Sequence, residues 1–269
     1  MITLKDILGN EDEKPLDTLV SDGGFTGIFR DIACVGDSLS SGEFSPFKAG
    51  EDNTHLYFDR FDYSWGQYMA RMAGVNVYNF SKGGMTAKDY VQSFANNMGY
   101  WQRRLAANAY IIALGVNDLL GRGHEIGSFD DICLEDYTKN ADTFIGNYAR
   151  IIQRYKEIQP EAVFFLVTMP QYGDDESEKH IPLKKAHRDV LIKLSEIFDN
   201  TYVIDLYQYA PPFDKEVKKK FFYHGHMAPA GYLLFGKMIA SYIDYIIRHN
   251  IESFKTVGMM GYDYDRKRV

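Results

Sequence analysis

At residues 32–39 the chain reads Ile-Ala-Cys-Val-Gly-Asp-Ser-Leu, a short apolar run followed by a glycine and two polar residues. An apolar run of this length, bounded by turn residues, is typical of a strand that is buried on both faces. The glycine eases a sharp turn out of that strand. The segment therefore predicts that Ser38 is exposed at the carboxyl edge of a sheet.

Four further apolar runs, rich in β-branched and aromatic residues, recur along the chain. Like the first, they are continuous rather than alternating, which favours strands of a parallel sheet covered by helices. They occupy residues 75–80, 110–114, 162–168 and 202–206. The sequence thus predicts about five strands.

Segments with helical periodicity lie between and after these runs. Their apolar residues fall within residues 144–155, 183–194 and 233–247, and Asn250 can end the last segment. Alternation of strands with helices predicts an α/β fold, an α/β/α sandwich.

The length of 269 residues suits a single α/β domain with insertions. No repeat and no linker rich in proline, glycine and serine divides the chain. Three connections after predicted strands are long, at residues 42–62, 121–135 and 171–182. Because ligands of open parallel sheets bind beyond the carboxyl ends of the strands, we expect these loops to wall the functional site.

The net charge of −7 and a pI near 5.5 disfavour a nucleic-acid partner, because neutralising phosphates requires a basic face. The longest apolar run, residues 162–169, is far below the ~20 residues that cross a bilayer. Residues 1–17 are charged and contain no apolar core of a signal peptide, so we expect a cytoplasmic protein. Cys34 and Cys133 form no recognisable framework and are expected to be reduced.

Two polar motifs follow the second and third predicted strands. Gly83 and Gly84 allow a backbone N–H to approach a ligand closely, and Thr86 can cap the following helix. Asn117 offers a side-chain N–H to an oxyanion, whereas Asp118 is better placed to cap or brace the loop. Each motif also has a plainer interpretation, as a tight turn or an Asx turn.

A fourth motif opens the last helix with His226, where the imidazole would lie within possible reach of Ser38 Oγ. Alone, it could equally be a surface histidine. Together the four motifs supply what acyl transfer needs: a nucleophile in Ser38, a base in His226, and oxyanion donors from Ser38, Gly84 and Asn117.

In this order of Ser, Gly, Asn and His, the chain resembles the GDSL/SGNH hydrolases. The resemblance implies a flavodoxin-like three-layer fold and a cofactor-free enzyme acting on a small-molecule acyl ester, including lipid, thioester or acylated carbohydrate substrates. Its signature residues match Ser38, Gly84, Asn117 and His226, with Gly83 as the alternative to Gly84. The resemblance leaves out an N-terminal extension of about residues 1–25 and a tail of about residues 254–269.

One position departs from the family pattern, which usually places an aspartate three residues before the histidine. This chain has Tyr223 there. We expect a Ser-His dyad whose histidine is oriented by a backbone carbonyl or by a differently placed acid. Asp205 is the first candidate for that acid, ahead of Asp37 and Asp118.

Three other interpretations of the sequence stay open. His224 and His226 could bind a metal, although no companion motif supplies further ligands. The missing aspartate would suit a non-catalytic carbohydrate- or lipid-binding module on the same fold. Gly83 and Gly84 before a helix could hold the phosphate of a flavin or nucleotide, although no P-loop or dinucleotide fingerprint is present.

Overall fold

A five-stranded parallel sheet forms the centre of the protein in a computed structural model that describes residues 3–9, 12–50, 54–173 and 177–262. Its strands are β1 (Asp31–Gly36), β4 (Asn76–Ser81), β5 (Ala109–Ala113), β6 (Val163–Val167) and β7 (Thr201–Ile204), and they occur where the apolar runs predicted them. Their order in the sheet is β4-β1-β5-β6-β7. Two-residue strands add β2 (Glu43–Phe44), β3 (Phe58–Asp59), β8 (Phe222–Tyr223) and β9 (His226–Met227).

Helices cover both faces of the sheet, which confirms the predicted three-layer α/β/α architecture. The three segments of helical periodicity are helices, and Asn250 is the C-cap of the last. The helices are α1 (Leu4–Leu8), α2 (Ser38–Ser41), α3 (Trp65–Ala73), α4 (Ala87–Asp89), α5 (Ala95–Asn97), α6 (Phe144–Ile158), α7 (His180–Ile197), α8 (Leu206–Tyr209), α9 (Lys215–Phe221) and α10 (Pro229–His249).

Burial on both faces explains why the strands are apolar without alternation. In β1, Ile32 and Cys34 point into the core beneath α3 and α10, whereas Ala33 and Val35 point into the core beneath α4 and α6. Successive side chains of a strand face opposite sides, so these four consecutive positions of β1 all need apolar residues when both sides are covered.

The strand order places the ends of β1 and β5 at a switch point. β1 pairs with β4 on one side and with β5 on the other, all in parallel. Connections from these strands leave over opposite faces of the sheet, which opens a crevice at their carboxyl ends. The motifs that contain Ser38, Gly84 and Asn117 all begin at this crevice.

The long connections begin at the same end of the sheet, but residues 121–135 run from there along α6, since the Cys133 carbonyl accepts a hydrogen bond from Gln153 in the C-terminal half of that helix. Residues 42–62 form the β2–β3 hairpin and an isolated bridge between Phe47 and His55, while residues 51–53 and 174–176 of the predicted loops lie outside the described residues. In the described part of the chain, no helix has the length and apolar character required to span a membrane.

A core truncation tests this packing. Phe165 on β6 is fully buried and contacts Phe29 edge-on, with ring centroids 5.9 Å apart. We expect Phe165→Ala to lower the free energy of unfolding by about 3–5 kcal/mol, because it removes a buried ring and leaves a cavity. Urea denaturation measures this loss, and Phe129→Ala at a half-exposed position serves as the control. Equal losses in the two variants would contradict the assigned core.

Candidate active site

Ser38 is the first residue of α2, at a tight turn directly after β1. Asp37 is the N-cap of this short helix, and its Oδ1 accepts a hydrogen bond of 3.0 Å from the Leu39 N–H. Gly36 is required at the end of β1, because a Cβ there would collide with the side chain of Ser40. Ser38 is half-buried, and its Oγ has no hydrogen-bond partner among the described residues.

The glycine turn after β4 lies beside open space. Gly84 has a φ of +71°, a left-handed conformation that favours glycine, and a Cβ added to it would meet nothing within 4 Å. Thr86 caps α4 as predicted, since its Oγ1 accepts a 3.0 Å hydrogen bond from the Asp89 N–H. Gly83, by contrast, lies directly against the carboxylate of Glu43.

Asn117 connects the turn after β5 to the serine turn, which is formed by residues 37 and 38 after β1. Its Nδ2 donates to Asp37 Oδ2 over 3.3 Å and to the Met85 carbonyl over 3.1 Å. Asp118 is fully buried, and its two carboxylate oxygens lie 3.0 and 3.1 Å from the Ala87 N–H. Asp118 therefore braces the loop against the start of α4, as the sequence predicted.

His226 lies on β9, an element that approaches α2 with Cα atoms within 8 Å. Its ring nitrogens, however, contact two residues that sequence reasoning missed. Nδ1 is 3.1 Å from Ser45 Oγ, and Nε2 is 3.0 Å from Glu43 Oε1. The imidazole thus contacts the segment that follows α2. Within the described ranges, no hydrogen bond joins the imidazole to Ser38.

Asp205, the first sequence candidate for the acid, has other partners. Its Oδ2 is 2.7 Å from Arg188 Nε, and its Oδ1 accepts hydrogen bonds from Thr168 Oγ1 and from the Gln208 N–H. Asp205 caps α8 through the last of these bonds. In the part of the chain that the structure describes, the carboxylate that contacts His226 belongs to Glu43.

The only sequence signal for Glu43 is its position, five residues after Ser38 and beside Phe44. A lone carboxylate at the start of a long insertion has no diagnostic spacing relative to the histidine. Its contact with His226 depends on how residues 42–62 fold back.

Burial shifts the protonation of the site residues. It raises the pKa of Asp37 to about 7, and the charges of Asp118 and Glu43 act in the same direction. Burial, together with the charge of Asp59, also raises the pKa of Glu43. Burial lowers the pKa of His226, so its imidazole is neutral at pH 7 and can accept a proton.

Aromatic side chains form a ledge beside His226, defined by Phe47, His55, Tyr57 and His224. The rings of Phe47 and His224 have centroids 4.4 Å apart, and the ring of Tyr57 is 6.2 Å from that of His226. Phe47 is 48% exposed and Tyr57 62% exposed, so the ledge offers apolar faces to a bound molecule.

Over the described residues, no group of three or more His, Cys, Asp or Glu side chains is arranged to hold a metal ion.

The raised pKa of Asp37 predicts a pH-dependent stability. Because the folded pKa of about 7 exceeds the ordinary value of 3.8, the contribution of Asp37 is complete at low pH and is lost as pH rises through 7. We expect the unfolding free energy of the native protein to fall by about 2–3 kcal/mol relative to Asp37→Asn between pH 5 and pH 8. Denaturant titrations across this pH range measure the unfolding free energy of both proteins. If the two free energies changed with pH in the same way, the raised pKa of Asp37 would be contradicted.

Structural comparison finds the same fold in known esterases. A family two carbohydrate esterase from Clostridium thermocellum, solved with cellohexaose, matches with a TM-score of 0.56 and 15% identity over 83% of this chain and 65% of that chain. A family 3 carbohydrate esterase from Clostridium thermocellum matches with a TM-score of 0.52 and 15% identity over 82% of this chain and 98% of that chain. At this identity the likeness shows the fold alone.

A psychrotrophic esterase, EstA from Pseudoalteromonas, solved with a monoethylphosphonate inhibitor, matches with a TM-score of 0.50 and 15% identity over 81% of this chain and 98% of that chain. No curated protein matches the chain by sequence. The model of the GDSL-like lipase/acylhydrolase family matches residues 34–234, which include the turns of Ser38, Gly84 and Asn117 and the hairpin of His226. The chain belongs to this family and is a carboxylic-ester hydrolase.

Proposed function

We propose that the protein hydrolyses carboxylic esters by acyl transfer to Ser38, with His226 as general base. Ser38 Oγ attacks the ester carbonyl while His226 accepts the hydroxyl proton. The tetrahedral intermediate then collapses, and the imidazolium returns the proton to the departing alcohol. Water, activated by the same imidazole, attacks the acyl-enzyme and releases the carboxylic acid with Ser38 restored.

The observation that carries this proposal is the hydrogen bond between Asn117 Nδ2 and Asp37 Oδ2. Asp37 directly precedes Ser38, so this bond brings an amide donor to the serine turn from a different strand. A serine hydroxyl with no hydrogen-bond partner among the described residues, beside a convergent donor, is the arrangement that acyl transfer requires.

Backbone donors at this edge support an oxyanion hole. The N–H groups of Ser38 and Gly84 donate to no acceptor in the described ranges, and open space lies beside Gly84. Both Nδ2 protons of Asn117 have acceptors at rest, and the bond to Asp37 is the longer. As negative charge develops on the carbonyl oxygen of the substrate, we expect the Asn117 N–H that bonds to Asp37 at rest to donate to that oxygen instead.

The substrate that this site fits best is a short-chain acyl ester or an acylated carbohydrate. The ledge of Phe47, His55, Tyr57 and His224 adjoins the imidazole and exposes ring faces, which suit a sugar ring or another flat apolar surface. An acyl-chain-length series, run beside acetylated sugars, decides between the two classes.

Removal of the nucleophile tests the reaction. Ser38→Ala is expected to abolish hydrolysis of p-nitrophenyl acetate, because no other group then forms the acyl-enzyme. Ser93→Ala, at an exposed position on the turn after α4, is the matched control and should keep native kcat. Native turnover in Ser38→Ala would refute the assignment, and labelling of the native protein by a fluorophosphonate should vanish in the same variant.

Loss of the side-chain donor tests the oxyanion hole. Asn117→Ala should lower kcat by roughly 10²–10³-fold with little change in KM, because it removes one donor to the transition state. Steady-state kinetics measure the effect, and Asn97→Ala, at an exposed position at the end of α5, controls for loss of an amide elsewhere. A fully active Asn117→Ala would show that the amide does not contact the oxyanion.

A further inference from the structure

We infer that Glu43 is the positioning carboxylate of His226 and takes the place of the aspartate that Tyr223 replaces. The inference rests on the proposed function and specifies how its base is held. It follows from a contact of 3.0 Å between Glu43 Oε1 and His226 Nε2. Both side chains are largely buried, with 11% and 15% of their surfaces exposed.

Glu43 is fixed in place from several directions. It lies on β2, opposite Asp59 of β3, and its backbone carbonyl accepts a 2.7 Å hydrogen bond from the Tyr232 hydroxyl of α10. Gly83 packs against its carboxylate, where any side chain would collide with it. A carboxylate that is held this firmly can hold the ring that it contacts.

The contacts of the ring define its tautomer. An ionised carboxylate can only accept hydrogen bonds, so Nε2 of neutral His226 carries the proton that Glu43 receives. Nδ1 then has the lone pair, and the Ser45 hydroxyl, 3.1 Å away, can donate to it. Nδ1 is therefore the basic nitrogen of His226. The Ser45 hydroxyl must move away from Nδ1 before this nitrogen can accept the proton of Ser38.

The position of Tyr223 explains why a substitute is needed. Tyr223 pairs with His226 across the β8–β9 hairpin, where directly opposed residues have Cβ atoms about 4.5–5.5 Å apart on one face. An aspartate there would reach the imidazole. Tyr223 supplies no carboxylate and is 58% exposed, whereas Glu43 of β2 contacts the ring directly.

The charged and titratable groups around the imidazole come from β2, β3, the loop between them, the β8–β9 turn and α10, and they include the ledge histidines His55 and His224. Glu43 of β2 contacts it, the carboxylate of Asp59 on β3 favours its charged form, and Tyr57 presents its ring. Tyr232 of α10 bonds to the backbone of Glu43. Removing the negative charge of Glu43 should therefore disfavour the imidazolium, because the closest opposite charge is lost.

Nuclear magnetic resonance titration of the histidine rings tests the inference without relying on activity. The signal of His226 is assigned by its loss in His226→Gln. In Glu43→Gln we expect the pKa of His226 to fall by about one unit or more, while Glu216→Gln, exposed on α9, leaves it unchanged. An unchanged His226 pKa in Glu43→Gln would overturn the inference, even if Ser38 proves to be the nucleophile.

Kinetics test the same role through the reaction. We expect Glu43→Gln to lower kcat by roughly 10²–10⁴-fold, to leave KM nearly unchanged, and to move the acid limb of the kcat profile to lower pH. Adding Tyr223→Asp to this variant should raise kcat at least tenfold, because the aspartate places a carboxylate beside the imidazole again. Native kcat in Glu43→Gln would show that Glu43 does not position the base. Full activity of Ser38→Ala would instead defeat the proposed function and leave the pKa result standing.

Discussion

The parallel pairing of β1 with β4 and β5 is the constraint on which the site depends. Because the three strands run in one direction, their carboxyl ends meet at one edge, and three separate turns open there. Continuous apolar side chains hold the strands between two helical layers, so the edge cannot shift without disturbing both cores. The polar turns can vary in chemistry because the sheet fixes where each of them begins.

Buried carboxylates accompany this arrangement. Asp118 is satisfied by the Ala87 N–H, whereas Asp37 and Glu43 interact with neighbouring site residues, Asn117 and His226. Burying charge is unfavourable, and the raised pKa of Asp37 and Glu43 reflects that cost. The carboxylates of Asp37, Glu43 and Asp118, whose pKa values burial raises, all lie around the Ser38 turn and the imidazole.

Much of the fold could be predicted from local patterns. The apolar runs located all five strands of the central sheet, and residue types at strand ends predicted that Thr86 caps a helix and that Asp118 braces its loop. The partners of His226 could not be predicted in this way. Glu43 and Ser45 lie in an aperiodic insertion, and their contacts depend on how the β2–β3 hairpin folds over the sheet edge. Asp205 was a reasonable candidate by position, but Arg188 binds its carboxylate.

The most direct measurement is a crystal structure of the protein after reaction with a diethyl phosphonate ester. The account predicts a covalent bond from phosphorus to Ser38 Oγ, with the phosphoryl oxygen about 2.7–3.1 Å from the Gly84 nitrogen and Asn117 Nδ2, and Glu43 still on Nε2 of His226. A phosphonate attached to Ser45 or another residue, or one on Ser38 whose phosphoryl oxygen faces solvent, would contradict it.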